Sequence, residues 1–166
     1  MNVRRASAED TRAIVTLRMA MFRETEDEVG AAPDAQLEAA TRRYFERRPS
    51  ESACHTWVVE LAGEVIAAGS VALFARPPYP GNLAGLEAYL LNMYTLPEHR
   101  GKGCARAIFE RIMTFARDQS CGKVWLHATQ AGRPLYEGAG FAPAETYLEW
   151  TPRAQPAVAQ GAARPR

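Results

Sequence analysis

The sequence has almost no net charge. Its 166 residues contain 20 Lys and Arg against 19 Asp and Glu, which gives a formal charge of +1 at pH 7. Proteins that bind nucleic acids or anionic membranes through their overall field carry a clear basic excess. We therefore expect neither nucleic acid nor a membrane among the partners, and any contact with an anion must be local.

Cysteine is scarce as well. The three cysteines, Cys54, Cys104 and Cys121, are far apart, and no pair has the Cys-x-x-Cys spacing of a zinc site or a redox dithiol. We expect free thiols, as in proteins of a reducing cytosol, and no metal site.

Long apolar runs are also absent. No stretch approaches the roughly 18 uninterrupted apolar residues of a membrane span. The N-terminal sequence MNVRRASAED contains no apolar core of a signal peptide. Together with the unpaired cysteines, these features predict a cytoplasmic protein.

What the chain does have is the composition of an ordinary globular domain. Hydrophobic residues make up 47% and charged residues 23% of its 166 residues, which is enough for one sizeable core. We predict a single domain over residues 1–151. From Pro152 the sequence contains Pro, Ala, Gln, Gly and Arg without periodicity, which predicts a disordered tail over residues 152–166.

The first part of the chain is patterned as a strand followed by two helices. Residues 1–5 suit a short edge strand, and Ser7 with Asp10 has the spacing of a helix-capping box. Apolar faces then recur at helical spacing. They comprise Ala13, Ile14, Leu17, Ala20 and Met21 in the first helix, and Leu37, Ala40, Thr41 and Tyr44 after Asp34 in the second.

The rest of the chain alternates between strand and helix patterns. Two β-rich runs flank Ala62-Gly63 and predict an antiparallel hairpin. Residues 75–88 contain three prolines and two glycines, which predicts a long loop at the rim of a site. Further predicted elements are a strand at 89–95, a helix after Gly103, a strand at 124–128, a short helix at 134–139 and a strand at 147–150. This order predicts a mixed α+β (α/β) fold with helices on the faces of a sheet.

The stretch RGKGCARA, residues 100–107, has the features of an anion site. Gly101 and Gly103 precede a helix whose first backbone N–H groups lack intrahelical partners. Arg100, Lys102 and Arg106 add positive charge. A simple turn between strand and helix would use the same glycines. The spacing matches neither a P-loop nor the dinucleotide fingerprint G-x-G-x-x-G.

Two motifs together resemble a known family. Arg100, Gly103 and Ala105 form R-x-x-G-x-A directly after a strand, and LYEGAGF occupies residues 135–141. These motifs resemble the pyrophosphate loop and the tyrosine-bearing short helix of the GNAT superfamily of acetyl-CoA-dependent N-acetyltransferases. The resemblance covers residues 57–150. It implies a central mixed, largely antiparallel sheet of about six to seven strands, splayed at the cofactor site, with about four helices on its faces.

The resemblance also implies where acetyl-CoA, the co-substrate, would bind. The pantetheine arm would lie along the backbone of Met93, Tyr94 and Thr95, at an unpaired strand edge. The pyrophosphate would lie on the loop that comprises Arg100, Gly101, Lys102, Gly103, Cys104, Ala105 and Arg106. The acceptor would be an amine of a small molecule or peptide, and a homodimer is possible. Thr129 stands where many relatives have an asparagine that touches the cofactor.

Cys104 has two interpretations. A thiol at a helix N-terminus can have a lowered pKa and act as a nucleophile. A small buried thiol also packs as an aliphatic residue would, which we prefer because the family transfers the acetyl group directly.

The implied chemistry needs an acid and a base. Tyr136 matches the tyrosine that protonates the departing thiolate. His127 is the candidate base because histidine titrates near neutral pH, although a histidine satisfied within the sheet is as good an interpretation. Glu87, Tyr89 or a water relay are the alternatives.

The acceptor and the overall activity stay open. Glu24, Glu26, Asp27 and Glu28 form an acidic run that could attract a cationic amine or could be a solvated helix end. A non-catalytic acyl-CoA-binding or regulatory module would keep the same loop. An interaction domain would instead use the tail arginines, Arg153, Arg164 and Arg166, on an acidic partner.

Overall fold

A computed structural model of the chain describes residues 1–25, 34–46, 54–144 and 148. These residues form a sheet and the helices that flank it. In chain order the elements are β1 (Asn2–Arg5), α1 (Thr11–Glu24), α2 (Ala35–Phe45), β2 (Cys54–Leu61), β3 (Glu64–Ala75), β4 (Leu86–Thr95), α3 (Cys104–Asp118), β5 (Lys123–Leu126) and α4 (Arg133–Glu137). Short 3₁₀ turns lie at Ala8–Asp10 and Pro97–His99.

The sheet is mixed and largely antiparallel. Its strand order is β1-β2-β3-β4-β5, and only β4 and β5 run parallel. The predicted mixed α+β class and the helices on both faces are confirmed. The predicted count of six to seven strands is too high for the described residues, which contain five. The predicted strand at 147–150 lies almost entirely outside the described residues, as does the predicted tail at 152–166.

The predicted β2–β3 hairpin is confirmed. Its turn residues, Ala62 and Gly63, have φ values of 51° and 85°. A two-residue hairpin turn with both central residues at positive φ twists in the same sense as its strands. Glycine at the second position lowers the cost of that conformation.

Local polar contacts tie β1 to the start of α1. The Ser7 N–H donates to the Asp10 carboxylate at 2.7 Å, as the capping pattern predicted. Arg4 donates to both oxygens of the same carboxylate at 2.7 and 2.8 Å. These bonds hold the pKa of Asp10 below its usual range, with the Arg4 bond as the main cause. The entry into α1 is therefore fixed by an ion pair whose carboxylate is nearly buried.

Two clusters of apolar residues cover the two faces of the sheet. On one face, Ile108, Phe109 and Ile112 of α3 pack on the strands. On the other face, Ile14 and Leu17 of α1 pack on the sheet. The strand residues of this second cluster are Val58, Ala68 and Tyr94. The sheet therefore separates two environments, an α3 side and an α1 side.

The predicted loop at 75–88 is too long. Strand β3 continues to Ala75 and β4 begins at Leu86, so the connection spans residues 76–85. The Arg76 N–H bonds to the Gly85 carbonyl at 2.6 Å and closes the loop. Glu87 and Ala88 are 2% and 0% exposed. The sequence pattern missed this because a glutamate is seldom buried unless the fold supplies partners.

Candidate active site

The sheet opens between its two parallel strands. The last paired residues of β4 and β5 are Leu90 and Leu126, but β4 continues to Thr95. On its other edge β4 stays paired with β3 as far as Thr95. The β5-facing edge of residues 91–95 therefore has no strand partner among the described residues. This is the location predicted for the pantetheine arm from Met93, Tyr94 and Thr95.

A bulge in β4 marks the start of the opening. Ser70 pairs with Leu91 and Ala68 pairs with Tyr94, so Asn92 and Met93 together face Gly69. Asn92 has a φ of 58°, a left-handed conformation that asparagine tolerates better than most residues. A Cβ on Gly69 would collide with the Met93 sulfur and with Ile108 of α3. The glycine thus allows the bulge to pack closely against α3.

The loop before α3 has the geometry of an anion cradle. Gly101 and Gly103 have φ values of 72° and 83°, and nothing lies within 4 Å of a Cβ built on either residue. The α3 N-terminus has no side-chain cap. Among the described residues no acceptor bonds the backbone N–H groups of residues 101–106, since the first helical bond runs from Ala107 to Gly103. An open loop of unbonded donors fits a diphosphate.

The cations of the loop differ in their contacts. Arg106 is exposed. The Lys102 ammonium donates to the Glu98 carbonyl at 2.9 Å. Arg100 instead donates to the Thr95 carbonyl at 3.0 Å and to the Glu24 carboxylate at 2.5 Å. In this structure Arg100 therefore ties the loop to the end of β4 and to the end of α1.

Glu24 was predicted from the sequence only as part of an acidic run, and its contacts in this region were not predicted. Its carboxylate accepts from the Tyr94 hydroxyl as well as from Arg100. The Tyr94 bond is the main cause that holds the pKa of Glu24 below its usual range. Burial and the Glu24 bond raise the pKa of Tyr94 to about 12. Glu24 therefore ties the end of α1 to β4 and to the glycine loop. The other acidic residues of the run, 26–28, lie outside the described residues.

Cys104 lies inside the α3-side core. It is 3% exposed, and its sulfur is 3.8 Å from the His99 carbonyl and 3.7 Å from the Met1 sulfur. A thiol in this position packs as an aliphatic side chain, which supports the interpretation preferred from the sequence.

Tyr136 lies on α4 and is 7% exposed. Its ring packs against Phe109 and Phe141 with centroid distances of 5.7 and 6.1 Å. Burial raises the pKa of its phenol to about 12. Among the described residues the Tyr136 hydroxyl has no hydrogen-bond partner.

The Thr129 hydroxyl accepts the Gly132 N–H at 3.2 Å and so shapes the turn before α4.

His127 follows β5 directly, at the point where the sheet opens. Its Nδ1 is 2.9 Å from the Tyr89 hydroxyl, and either group can be the donor. The ring also lies edge-on to Trp125, with centroids 6.1 Å apart. Alternation along β4 places Tyr89 on the face opposite Ala88 and Leu90, which belong to the α3-side core. His127 and Tyr89 thus form a polar pair on the α1 side.

Glu87, the alternative base, has its carboxylate engaged. It accepts from the Tyr79 hydroxyl at 2.8 Å and from Arg76 at 3.1 and 3.2 Å. Burial alone would raise the pKa of Glu87, but the Tyr79 and Arg76 bonds outweigh it, and the pKa lies below its usual range. These bonds anchor the 76–85 loop to the sheet and make Glu87 a weaker base than an ordinary glutamate.

Comparison with known proteins agrees with this geometry. The family model described as "Acetyltransferase (GNAT) family" matches residues 15–141, which include most of α1, the sheet opening, the glycine loop and Tyr136. The chain belongs to the GNAT family. The match extends the resemblance, which the motifs had supported only from residue 57, back into α1.

Two curated N-acetyltransferases each match about half of the chain. A segment of 95 residues is 36% identical to N-acetyltransferase 8F1 of Mus musculus and covers 55% of this chain and 41% of that protein. A segment of 88 residues is 35% identical to the uncharacterized N-acetyltransferase YjgM of Escherichia coli and covers 51% of this chain and 49% of that protein. The chain thus spans about half the length of the curated relatives it matches.

Solved structures match over most of the chain. A predicted acetyltransferase from Clostridium acetobutylicum, solved with acetyl-CoA, is 29% identical with a TM-score of 0.81 and covers 90% of this chain and 95% of that one. A GCN5-related N-acetyltransferase from Ralstonia eutropha is 27% identical with a TM-score of 0.75 and covers 90% and 97%. The GNAT family and fold predicted from the two motifs are confirmed, and acetyl-CoA is the co-substrate of the family. Within the described residues, no helix has the length and apolar character of a membrane span.

Proposed function

We propose that this GNAT protein transfers the acetyl group of acetyl-CoA to a primary amine of a small molecule or peptide by direct attack. The observation that carries the proposal is the open edge of β4 beside a glycine loop of unbonded amides. The open edge comprises residues 91–95 of β4. It is the edge that faces away from β3, and it lies beyond the end of β5. Its free backbone groups need partners, and an amide-containing arm can supply them.

The same elements suggest how the co-substrate would be held. The backbone N–H groups of residues 101–106 would bind the diphosphate, helped by the positive end of the α3 dipole. The exposed Lys102 and Arg106 would contribute charge, whereas Arg100 would act by keeping the loop in place through Glu24 and Thr95. The backbone of Met93, Tyr94 and Thr95 would bond the pantetheine. When bound, acetyl-CoA supplies the thioester that is transferred.

The transfer has a definite proton balance. A neutral amine nitrogen attacks the thioester carbonyl carbon, the C–S bond breaks, and an amide and a thiolate form. The amine gives up one proton, and the thiolate takes one to become the CoA thiol. Because an amine is mostly protonated at neutral pH, a base must first remove a proton.

We assign the acid to Tyr136 and the base to His127. With its Nδ1–H donated to Tyr89, His127 presents the basic lone pair on Nε2. Tyr136 belongs to the α3-side cluster, whereas His127 contacts Tyr89 on the α1 side. An amine that enters from the α1 side and a thiol that leaves toward the α3 side would meet the base and the acid at opposite faces of the sheet. A water relay is the alternative to direct proton removal.

One observation favours a second candidate, a non-catalytic acyl-CoA-binding or regulatory module. Burial raises the pKa of Tyr136 to about 12, above the roughly 8.5 of a thiol. A phenol this weak keeps its proton in preference to a thiolate. Catalysis by Tyr136 therefore requires that the bound thioester arm or water changes the surroundings of the hydroxyl.

One experiment separates the two candidates. Thermal unfolding is followed with acetyl-CoA and with CoA, and a panel of amines is screened for thiol release from acetyl-CoA. Acetyl-CoA and CoA should each stabilise the protein, by about 2.7 kcal/mol at a hundredfold excess over Kd. Thiol release that depends on an amine supports the enzyme. Stabilisation without turnover of any amine supports the binding module, and no stabilisation contradicts both candidates.

A cytoplasmic location and a homodimer are proposals that rest on the sequence and the resemblance alone.

A further inference from the structure

One arginine of α1, Arg18, has no acidic partner among the residues that the structure describes. Arg18 is half-buried, and its guanidinium lies 4.7 Å from the centre of the Phe22 ring. Its hydrogen bond within the described residues is a long one, 3.4 Å, to Oδ1 of Asn92. By contrast, Arg4, Arg76 and Arg100 each pair with a carboxylate.

The groups around Arg18 do not compensate its charge. Within residues 1–25, 34–46 and 54–144, the titratable side chains that influence the pKa of Arg18 are Cys54, Tyr44 and Tyr89. Thiols and phenols at their ordinary pKa carry no charge near pH 7, and burial raises the pKa of Cys54 further. Burial lowers the pKa of Arg18 itself, but a guanidinium keeps its charge at any physiological pH. Arg18 is therefore a partly desolvated cation without a counter-charge in the described part of the chain.

A second donor lies at the same place. Asn92 is 5% exposed, and its Nδ2 is buried without a hydrogen-bond partner in the described structure. Its Oδ1 already accepts from Arg18, so the guanidinium and the side-chain amide are neighbours. A buried donor without an acceptor costs stability. Two neighbouring donors, one of them cationic, fit a ligand with negatively charged oxygens.

The location connects these donors to the reaction. Asn92 is the bulge residue at the start of the unpaired β4 edge, next to Met93, where the thioester arm would lie. Arg18 belongs to α1 itself and so lies on the α1 side, the side of the Tyr89–His127 pair. An anionic group bound there would hold its own molecule next to the thioester.

We propose that the acetyl acceptor is an amine that carries a carboxylate, as α-amino acids do, and that Arg18 and Nδ2 of Asn92 bind this carboxylate. A guanidinium fork and one amide match the two oxygens of a carboxylate. This inference rests on the proposed function, because it names the acceptor of the same transfer. The neutral amine of the bound acid would attack the thioester as described above, with the carboxylate unchanged.

The proposed site distinguishes between acceptors because an acceptor without a carboxylate leaves the donors of the site unpaired. A site built to bond a substrate group strongly rejects an analogue that lacks the group. Charge-assisted bonds in a partly desolvated site strengthen this selection. The acceptor should therefore be distinguished from its uncharged analogue mainly through KM.

The first test compares matched acceptors with the wild-type protein. The panel contains L-phenylalanine, L-methionine and L-alanine, each with its carboxamide and with its aminophosphonate analogue. The α-amine of an amino acid amide has the lower pKa, so intrinsic reactivity favours the amide. We expect kcat/KM to be at least about tenfold higher for the preferred acid than for its amide. Equal values, or a preference for the amide or the phosphonate, would overturn the inference.

The second test uses variants on the same helix. Arg18→Gln should reduce the acid-to-amide ratio to near one by raising KM for the acid, and Arg18→Lys should restore part of it. Arg12→Gln is the matched control, because Arg12 is an exposed arginine of α1, and it should keep the wild-type ratio. A ratio that survives in Arg18→Gln would contradict the assignment.

A binding measurement separates this inference from the proposed function. Each acid and its amide are titrated into wild type and both glutamine variants saturated with CoA, with calorimetry as the readout. Binding that is specific for the acid and lost only in Arg18→Gln supports the carboxylate site even if no acceptor is acetylated, in which case only the transferase proposal fails. Absence of acid-specific binding and turnover in the wild type refutes the carboxylate site.

Discussion

At the scale of single residues, the chemistry depends on a tyrosine whose ring and hydroxyl have different roles. The ring of Tyr136 packs between Phe109 and Phe141. Its hydroxyl makes no hydrogen bond to the described residues, so removing it should leave packing and folding nearly unchanged. This separation makes Tyr136 a clean site to test.

We expect Tyr136→Phe to lower kcat by about a hundredfold or more, because general acid catalysis typically contributes that much. The dissociation constant of acetyl-CoA and the melting temperature should change little. Steady-state kinetics by thiol release, with calorimetry for the cofactor, check both statements. Tyr79→Phe serves as a control that removes a phenol to which no role in the transfer is assigned and which is bonded to Glu87. A kcat for Tyr136→Phe within twofold of the wild type would contradict the assignment.

A buried carboxylate gives a second prediction at this scale. Glu87 accepts three hydrogen bonds from Tyr79 and Arg76, and its pKa in the folded protein lies below its usual range. Glu87→Gln should lower the free energy of unfolding at neutral pH by about 1–3 kcal/mol, since bonds to a charged group are lost in a buried site. Urea unfolding measures this change.

The pH dependence of the same contribution has a definite sign. Because the folded pKa of Glu87 is depressed, its contribution is complete above the unfolded value of about 4.3 and is lost as the pH falls through the lower folded value. The stability difference between wild type and Glu87→Gln should therefore narrow below about pH 4. A difference that stays constant or widens on acidification would show that the charge of Glu87 is not what stabilises the loop.

The sequence identified some site residues and could not identify others. Tyr136 and the loop glycines stand in short motifs, so their neighbours in the sequence reveal them. Glu24 meets Arg100 across 76 positions, and Arg18 meets Asn92 across 74. No local pattern encodes such contacts, because they depend on how α1 packs on the sheet. The acidic run at Glu24 therefore looked like a solvated helix end or an amine attractant.

At the scale of secondary-structure elements, the glycine loop before α3 is the feature that can be tested most directly. Gly103 and the hairpin residue Gly63 have nearly equal φ values, 83° and 85°, and open space around both. Alanine at either position should cost a similar amount, about 1–2 kcal/mol, for the left-handed backbone. The two substitutions therefore differ mainly in whether the new methyl group lies at the proposed diphosphate cradle.

We expect Gly103→Ala to raise the Kd for CoA by about tenfold or more, because the methyl group and the strained amides obstruct the diphosphate cradle. Gly63→Ala should lose comparable stability and keep the wild-type Kd. Calorimetry and thermal unfolding of both variants give the two quantities. Equal affinities in the two variants would place the diphosphate elsewhere.

Element boundaries show where sequence patterns lose accuracy. The hairpin and the α3 helix were predicted well because turn chemistry and helical periodicity are local signals. The start of β4 was predicted three residues late, since the pattern assigned Glu87 and Ala88 to a loop. Burial of Glu87 depends on Arg76 and Tyr79, and such compensation follows only from the folded chain.

At the scale of the whole molecule, the proposed co-substrate site depends on a difference in length between the parallel strands β4 and β5. Strand β5 stops at Leu126, opposite Leu90, while β4 continues past the bulge at Asn92 to Thr95. The sequence could predict both strands, and the resemblance implied the splay. The bulge at the start of the open edge packs against α3 through Gly69, Met93 and Ile108, and no single segment encodes this contact.

Amide hydrogen exchange with and without acetyl-CoA shows whether the co-substrate occupies this opening. We expect saturating acetyl-CoA to slow exchange at amides of residues 92–95 and 101–106, while exchange at the β2–β3 hairpin turn, Ala62 and Gly63, stays unchanged. Protection confined to other regions, or no protection at either segment under conditions where calorimetry shows binding, would contradict a co-substrate site in the opening between β4 and β5.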